Sequence, residues 1–229
     1  MFYIKFIPSE CFAIDIEPRI DFYEMIPKLK SGDLTLSGIR EKINRACEKV
    51  ASSEVTNRKV IKFYNRHGFY GANFLRYFLC EYEVSLMKMS KNCAEKLNRD
   101  ILYSEGRDSI EHIYPQNARS QYWKEIFANY TQKQRDTMRC SLGNFVAISA
   151  PKNGKLGNKS FPEKKGNKQN SVGYMYGTYA EIELCKYENW GKKEILERGI
   201  HLTNFIQKRW GIKIGKSKED IIEFLGINF

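Results

Sequence analysis

The sequence predicts an α+β fold that is mostly helical, and three observations lead there. Apolar residues recur at helical spacing on both sides of the middle of the chain; two short alternating apolar runs, SIEHIYP and GNFVAIS, lie between them; and no internal repeat or coiled-coil heptad is present. With 229 residues and 42% hydrophobic content, the chain can bury one good core, or one core plus a small module. The organisation expected is a mainly helical region over residues 1–100 and a second unit over 101–229 that holds both alternating runs.

Taken in order, Met1 to about Ile20 is short, aromatic and punctuated by Pro8 and Pro18, which suits a strand or an irregular segment equally. Ile39, Ile43, Ala46, Cys47 and Val50 then space out as a helix with Ser37 as N-cap, and Val60, Ile61 and Tyr64 suggest a further short helix. Phe74, Leu75, Phe78, Leu79, Tyr82 and Leu86 make the clearest amphipathic helix of this half, and core packing explains that aromatic stripe better than a cofactor does. Between the two strand-like runs lies an insertion containing YWKEIFANY. The following PKNGKLGNKSFPEKKGNKQN has, by composition alone, the character of a solvated loop. Trp190, Ile195, Leu196, Ile200, Phe205, Ile206 and Trp210 predict a final amphipathic helix, and Ile221, Ile222 and Leu225 a tail that packs on the rest.

Charge narrows the partners. A formal net charge of +11 draws any polyanion towards the surface before specific contacts form, and nucleic acid is the commonest one in a cell. The six cysteines (Cys11, Cys47, Cys80, Cys93, Cys140 and Cys185) are scattered, with no CxxC pair and no histidine at zinc-ligand spacing, so a zinc site is not expected. The start, MFYIKFIPSE, lacks the pattern of a signal peptide, and no later segment approaches a membrane span. A cytoplasmic protein with reduced thiols and no membrane partner is therefore expected.

Hydrolysis of a phosphodiester needs a general base for water and a cation to offset charge on the phosphorane and the leaving oxygen. Histidine suits the first task because much of it is neutral at working pH, while a carboxylate and an amide oxygen suit a hard ion such as Mg²⁺. Glu111 and His112 are adjacent on a predicted strand and so point to opposite faces. Alone, such a pair is a weak signal, and a surface or structural role is the better account of it.

The wider pattern gives it weight. EHIYPQN, then SLGNFVAIS, then PKNGKLGNKSFPEKK resembles the HNH, or His-Me finger, nucleases, specifically the C-terminal domain of GmrSD-type modification-dependent restriction enzymes (the DUF1524 family). The step from Asn144 to Asn153 is also similar to that in the HNH domain of RNA-guided CRISPR nucleases, where the matching stretch begins with Asp-His. WGKKEILERGIHLTNFIQKRW looks like the family's closing helix, with Trp190, Arg198 and Trp210 at its recurring positions, and LRYFLCEYEVSL resembles, more weakly, the helix before the finger. The likeness spans roughly Phe69 to Gly211. The 229 residues hold no DGQQR-like signature of the N-terminal nucleotide-hydrolysing, modification-sensing domain, so the resemblance carries no expectation of nucleotide control for this chain.

The resemblance implies an embedded ββα-metal (His-Me) finger at about 109–165 within an HNH nuclease domain, followed by a C-terminal closing helix. It implies His112 as general base, Asn144 as the amide that ties the finger's loop and keeps His112 oriented, and Glu111 and Asn153 as ligands of one divalent ion, Mg²⁺ or Mn²⁺. Ordinary alternatives stand beside each: a satisfied core histidine, turn chemistry after Gly143, an exposed carboxylate, a solvated asparagine. Lys152, Lys155, Lys159, Lys164 and Lys165 are expected to contact phosphate, although a lysine run is commonly a solvated face. His67 and His201 are expected to be structural, and Trp123, Tyr122 and Tyr130 to pack in the core or a lid rather than stack on bases. The activity implied is metal-dependent cleavage of DNA in restriction of foreign or phage DNA, with a separate modification-sensing subunit or domain as a further partner. An RNase or toxin with the same metal chemistry, and an inactive nucleic-acid-binding module, are the rival readings.

Overall fold

The computed structural model describes residues 22–52, 54–72, 74–90, 109–169, 171–215 and 217–229. Four helices come first: α1 (Phe22–Ser31), α2 (Leu36–Ser52), α3 (Glu54–His67) and α4 (Leu75–Met89). Strand β1 (Ser109–His112) follows, then α5 (Gln121–Ile126), α6 (Gln132–Cys140), a 3-10 turn (Leu142–Asn144) and strand β2 (Phe145–Ile148). The chain continues through α7 (Ala150–Leu156), α8 (Phe161–Lys165), a second 3-10 turn (Tyr174–Tyr176), α9 (Tyr179–Leu184), α10 (Lys192–Trp210) and α11 (Lys218–Leu225). The fold is mostly helical with one small sheet, which is α+β as expected. The segment from Met1 to Ile20 and the boundary expected near residue 100 lie outside the described residues, and helices from both sides of that boundary share one core. Among the described residues, no helix is long and apolar enough to cross a membrane.

The two strands pair antiparallel, in register from Ser109 opposite Ile148 to His112 opposite Phe145. Pro115, which has no N–H to donate, follows soon after β1, and the ladder closes with Ile113 N–H donating to the Asn144 carbonyl at 3.0 Å. One hydrophobic core runs from Val60 on α3 through Phe69, Phe74 and Phe78 to Ile195, Leu202 and Ile206 on α10 and Phe224 on α11. Stacked and edge-on rings knit it: Tyr64 stacks on Phe69 at 4.6 Å, and Phe224 meets Phe69 edge-on at 5.1 Å.

Local details depart from the sequence reading in instructive ways. The cap of helix α2 lies two residues before the expected one: the Thr35 hydroxyl accepts from Gly38 N–H at 3.1 Å, and Ser37 lies inside the helix. Helix α4 is buried beyond its aromatic stripe, Glu81 and Glu83 included. Glu83 is buried because its carboxylate accepts from Tyr179 N–H at 2.9 Å and Ala180 N–H at 2.8 Å, serving the exposed donors at the start of α9. The insertion forms α5 and α6, the latter begun by a Thr131–Gln134 capping box. The lysine- and glycine-rich stretch, loop-like in composition, folds as α7 and α8, and its Ser160–Phe161–Pro162–Glu163 run is a capping box with proline in the first turn. Tyr179–Leu184 forms a helix that periodicity did not reveal, again started by a capping box, Thr178–Glu181.

Candidate active site

Side chains alternate along β1, so Ser109 and Glu111 share one face while Ile110 and His112 share the other. On the first face Glu111 is buried, and Lys164 Nζ donates to its Oε1 at 2.6 Å; the Tyr174 hydroxyl donates to the same oxygen at 3.2 Å. Lys164 is fully buried, and its ammonium also donates to the carbonyls of His112 at 2.9 Å and Ile113 at 3.2 Å. Burial raises the Glu111 carboxyl above its ordinary value, against the opposing pull of the Lys164 ammonium, and burial likewise lowers the Lys164 ammonium. Three acceptors converging on one ammonium are what make a buried lysine tolerable, since an unpaired charge there would cost several kcal/mol by general experience.

On the opposite face His112 is wedged between aromatic rings: Tyr70 at 4.3 Å, from the loop between α3 and α4, and its strand partner Phe145 edge-on at 4.9 Å. Its Nε2 is buried and, among the described residues, has no hydrogen-bond partner. Burial lowers its pKa from 6.5 to about 4, with the positive charges of Lys164 and Arg139 adding to the effect. The ring is therefore a neutral imidazole over the whole physiological range.

Asn144 is fully buried and every arm of its amide is engaged. Oδ1 accepts from Tyr114 N–H at 2.7 Å and from the Trp190 indole at 3.1 Å, while Nδ2 donates to the carbonyls of Tyr114 and Arg139, both at 3.0 Å. One side chain thus joins the residues just after β1, the end of α6 and the segment before α10. Gly143 beside it is a matter of clearance rather than turn chemistry: a Cβ there would lie 1.9 Å from the Ile195 carbonyl oxygen of α10. Arg198, on the same helix and fully buried, donates to the carbonyls of Gly143 at 2.8 Å and Phe145 at 2.7 Å.

Asn153, on α7, turns towards the Glu111 face. Its Nδ2 donates to the Ser109 hydroxyl at 2.6 Å and to the Ile110 carbonyl at 3.2 Å. The amide nitrogen being spent on β1, the oxygen is the end available for another partner. Among the described residues, the hydrogen bonds on Glu111 both fall on Oε1, and no group of three or more His, Cys, Asp and Glu side chains is arranged to hold a metal. A carboxylate oxygen and an amide oxygen are hard donors, and they fit a hard divalent cation that keeps water or phosphate in its other positions.

The structure separates the five expected phosphate-contacting lysines. Lys155 and Lys159 are exposed. Lys152 pairs with the buried Glu181, and Lys165 donates to the Tyr187 carbonyl at 3.0 Å while lying 5.5 Å from the Phe161 ring. The expectation for Lys164 is corrected: an ammonium with no exposed surface cannot dock a DNA backbone, and this one serves Glu111 and two carbonyls instead. The signal was present in the spacing, because Phe161 and Lys164 lie on one face of α8 and a buried Phe161 carries Lys164 inward with it. Tyr70, Tyr174 and the carbonyl contacts of Arg198 went unforeseen, since each joins segments far apart in the chain. Trp123 is fully buried and Tyr122 accepts from Trp190 N–H at 3.1 Å, as core packing requires. His67 and His201 are exposed, each against one ring, Phe63 and Tyr82 respectively.

Comparison with known proteins bears on this arrangement. No curated protein and no solved structure matches the chain. The family described as GmrSD restriction endonucleases, C-terminal domain, matches residues 52–205, which takes in α3 and α4, both strands with the site residues on and around them, and α10 as far as Phe205. That span is more than half of the 229 residues and reaches further towards the N-terminus than the motifs alone indicate, so the chain belongs to the family of the C-terminal domain of GmrSD restriction endonucleases.

Proposed function

We propose that the chain is an endonuclease that hydrolyses DNA phosphodiester bonds with the help of one divalent cation, Mg²⁺ or Mn²⁺, and acts in restriction of foreign or phage DNA. In this reading β1, β2 and α7 form a His-Me finger. The observation that carries it is the state of His112: a neutral imidazole whose buried Nε2 has no partner among the described residues, on a strand whose next side chain back is a carboxylate. A buried ring nitrogen left unsatisfied is costly, and a catalytic role is one reason to keep it.

His112 Nε2 takes the proton from the attacking water as the new oxygen–phosphorus bond forms, and the bond from phosphorus to the leaving strand-end oxygen breaks, that oxygen taking a proton from water. Asn144 holds the backbone beyond β1, and Lys164 holds the carbonyls of His112 and Ile113, so the imidazole is borne on a fixed strand end. Tyr70 covers the ring, and it is the residue that must swing aside to admit water and phosphate. Glu111 and Asn153 would hold the cation. When bound, that ion supplies charge stabilisation for the phosphorane oxygens and the leaving oxygen. Lys155 and Lys159 lie on the surface beyond β2, where they would meet the DNA backbone.

The test incubates the purified chain with plasmid, phage DNA containing modified cytosines, and structured RNA, each with Mg²⁺, Mn²⁺ or EDTA. Cleavage of DNA that EDTA abolishes is expected, and His112→Ala should lose more than roughly a hundredfold in rate while DNA binding is nearly unchanged. Wild-type rates from a folded His112→Ala preparation would remove the base assignment. Cleavage of RNA but not DNA would replace the substrate.

A further inference from the structure

Lys164 is a costly residue to place where it stands. Its ammonium is fully buried and ends on Glu111 Oε1, the His112 carbonyl and the Ile113 carbonyl at 2.6 to 3.2 Å, while Tyr174 adds a second donor to the same carboxylate oxygen. A lysine and a carboxylate needed only to fill space could be two apolar residues of similar volume, and such replacements of a whole buried pair are often neutral or stabilising. What an apolar side chain cannot do is hold one carboxylate oxygen and cancel its charge.

We propose that Lys164 is a positioning residue for the metal ligand Glu111: with Tyr174 it occupies Oε1, leaves Oε2 as the single oxygen for a divalent cation, and offsets the carboxylate's charge so that the free protein holds the ion weakly. This rests on the proposed metal-assisted hydrolysis. With Asn153 neutral, and the neighbouring Glu181 paired with Lys152, the pair of Glu111 and Lys164 gives the site no net negative charge, and ligand charge count is what sets the affinity of oxygen sites for hard cations. The phosphate of the nucleic acid then supplies the missing negative charge, so cation and substrate bind together. The device keeps the free enzyme from loading metal and links the assembly of the site to the presence of DNA.

The experiment reads metal binding rather than cleavage. Mn²⁺ titrations by calorimetry, with thermal unfolding in EDTA and in Mn²⁺, compare the full chain with Lys164→Met, Glu111→Gln and the double variant. Lys164→Met should unfold at a lower temperature in EDTA, regain that loss in Mn²⁺, and bind Mn²⁺ at least about tenfold more tightly than wild type, because the ion takes the place of the lost ammonium. The double variant should lose the Mn²⁺ response that Lys164→Met gains, which places the gained affinity on the Glu111 carboxylate. Should Lys164→Met fail to fold, Tyr174→Phe removes only the hydroxyl from Oε1 and should strengthen Mn²⁺ binding at least about threefold. Equal Mn²⁺ affinity in wild type and Lys164→Met, with Glu111→Gln abolishing it, overturns this inference and leaves the metal site standing. Mn²⁺ binding that is indifferent to Glu111→Gln overturns both.

Discussion

At the scale of single residues, the consequences of burial can be measured directly. The folded state keeps His112 neutral down to about pH 4, whereas the unfolded chain protonates it near 6.5, so the unfolded state binds the extra proton in that window. Stability should therefore fall as pH drops from 6.5 towards 4, by up to roughly 3 kcal/mol more than in a His112→Gln variant. Urea unfolding of the two proteins across that range checks it, and parallel profiles would contradict it. In cleavage, the acid limb of the rate profile should lie below pH 6.5 for the same reason. Asn153 offers a second measurement. If Asn153 holds the cation as proposed, Asn153→Ala should raise the metal concentration needed for half-maximal cleavage, by taking away a neutral oxygen. Asn153→Asp keeps an oxygen but loses the donor to Ser109 and Ile110, so it should respond to metal while losing about 1 kcal/mol or more of stability. Identical metal titrations for wild type and Asn153→Ala would return Asn153 to a structural role.

At the scale of elements, the site depends on how closely α10 approaches the turn before β2. A side chain at Gly143 would collide with backbone, 1.9 Å from the Ile195 carbonyl oxygen and 2.8 Å from Gly199 N, and backbone cannot step aside as a side-chain tip can. Gly143→Ala should cost at least roughly 3 kcal/mol, and it should disturb the Asn144 bonds to Tyr114 and Trp190 along with the helix. Gly154, inside α7 with open space where a Cβ would stand, makes the opposite case. Gly154→Ala should gain about 0.5–1 kcal/mol from helix propensity. Unfolding midpoints for the two variants separate close approach from helix propensity, and a folded, undiminished Gly143→Ala would show that α10 has more room than its geometry suggests.

At the scale of the whole molecule, the net charge of +11 is not spread over a uniformly available surface. Lys152, Lys164 and Lys165 are spent on internal partners, while Lys155 and Lys159 remain exposed. Replacing Lys155 and Lys159 together by Ala should weaken DNA binding across all sequences and reduce the log-log salt slope by about one to two units. Lys164→Met should leave that slope unchanged while lowering stability. Binding isotherms between low and moderate salt decide the matter, and a slope that follows Lys164 instead would mean that it reaches phosphate after all.

Much of this protein was legible in its residues. Periodicity located α2, α3, α4 and α10, and alternation located both strands, because each of these signals is local in the chain; the EHIYP, LGN and NGKLGNK blocks carried the resemblance that singled out Glu111, His112, Asn144 and Asn153 as candidates. Short helices were harder to see where composition masked them: α7 and α8 are polar outside, and only the capping box at Ser160 and the inward step from Phe161 to Lys164 betray them. What only the tertiary structure decided is which charges meet. That Lys164 faces Glu111 rather than solvent, that Glu83 caps α9 from α4, and that α10 requires glycine at position 143 are facts about segments tens of residues apart. Side-chain patterns along a chain record which face is buried, but the partner waiting there is supplied by packing, and it is the partner that turns a basic run into an internal counter-ion.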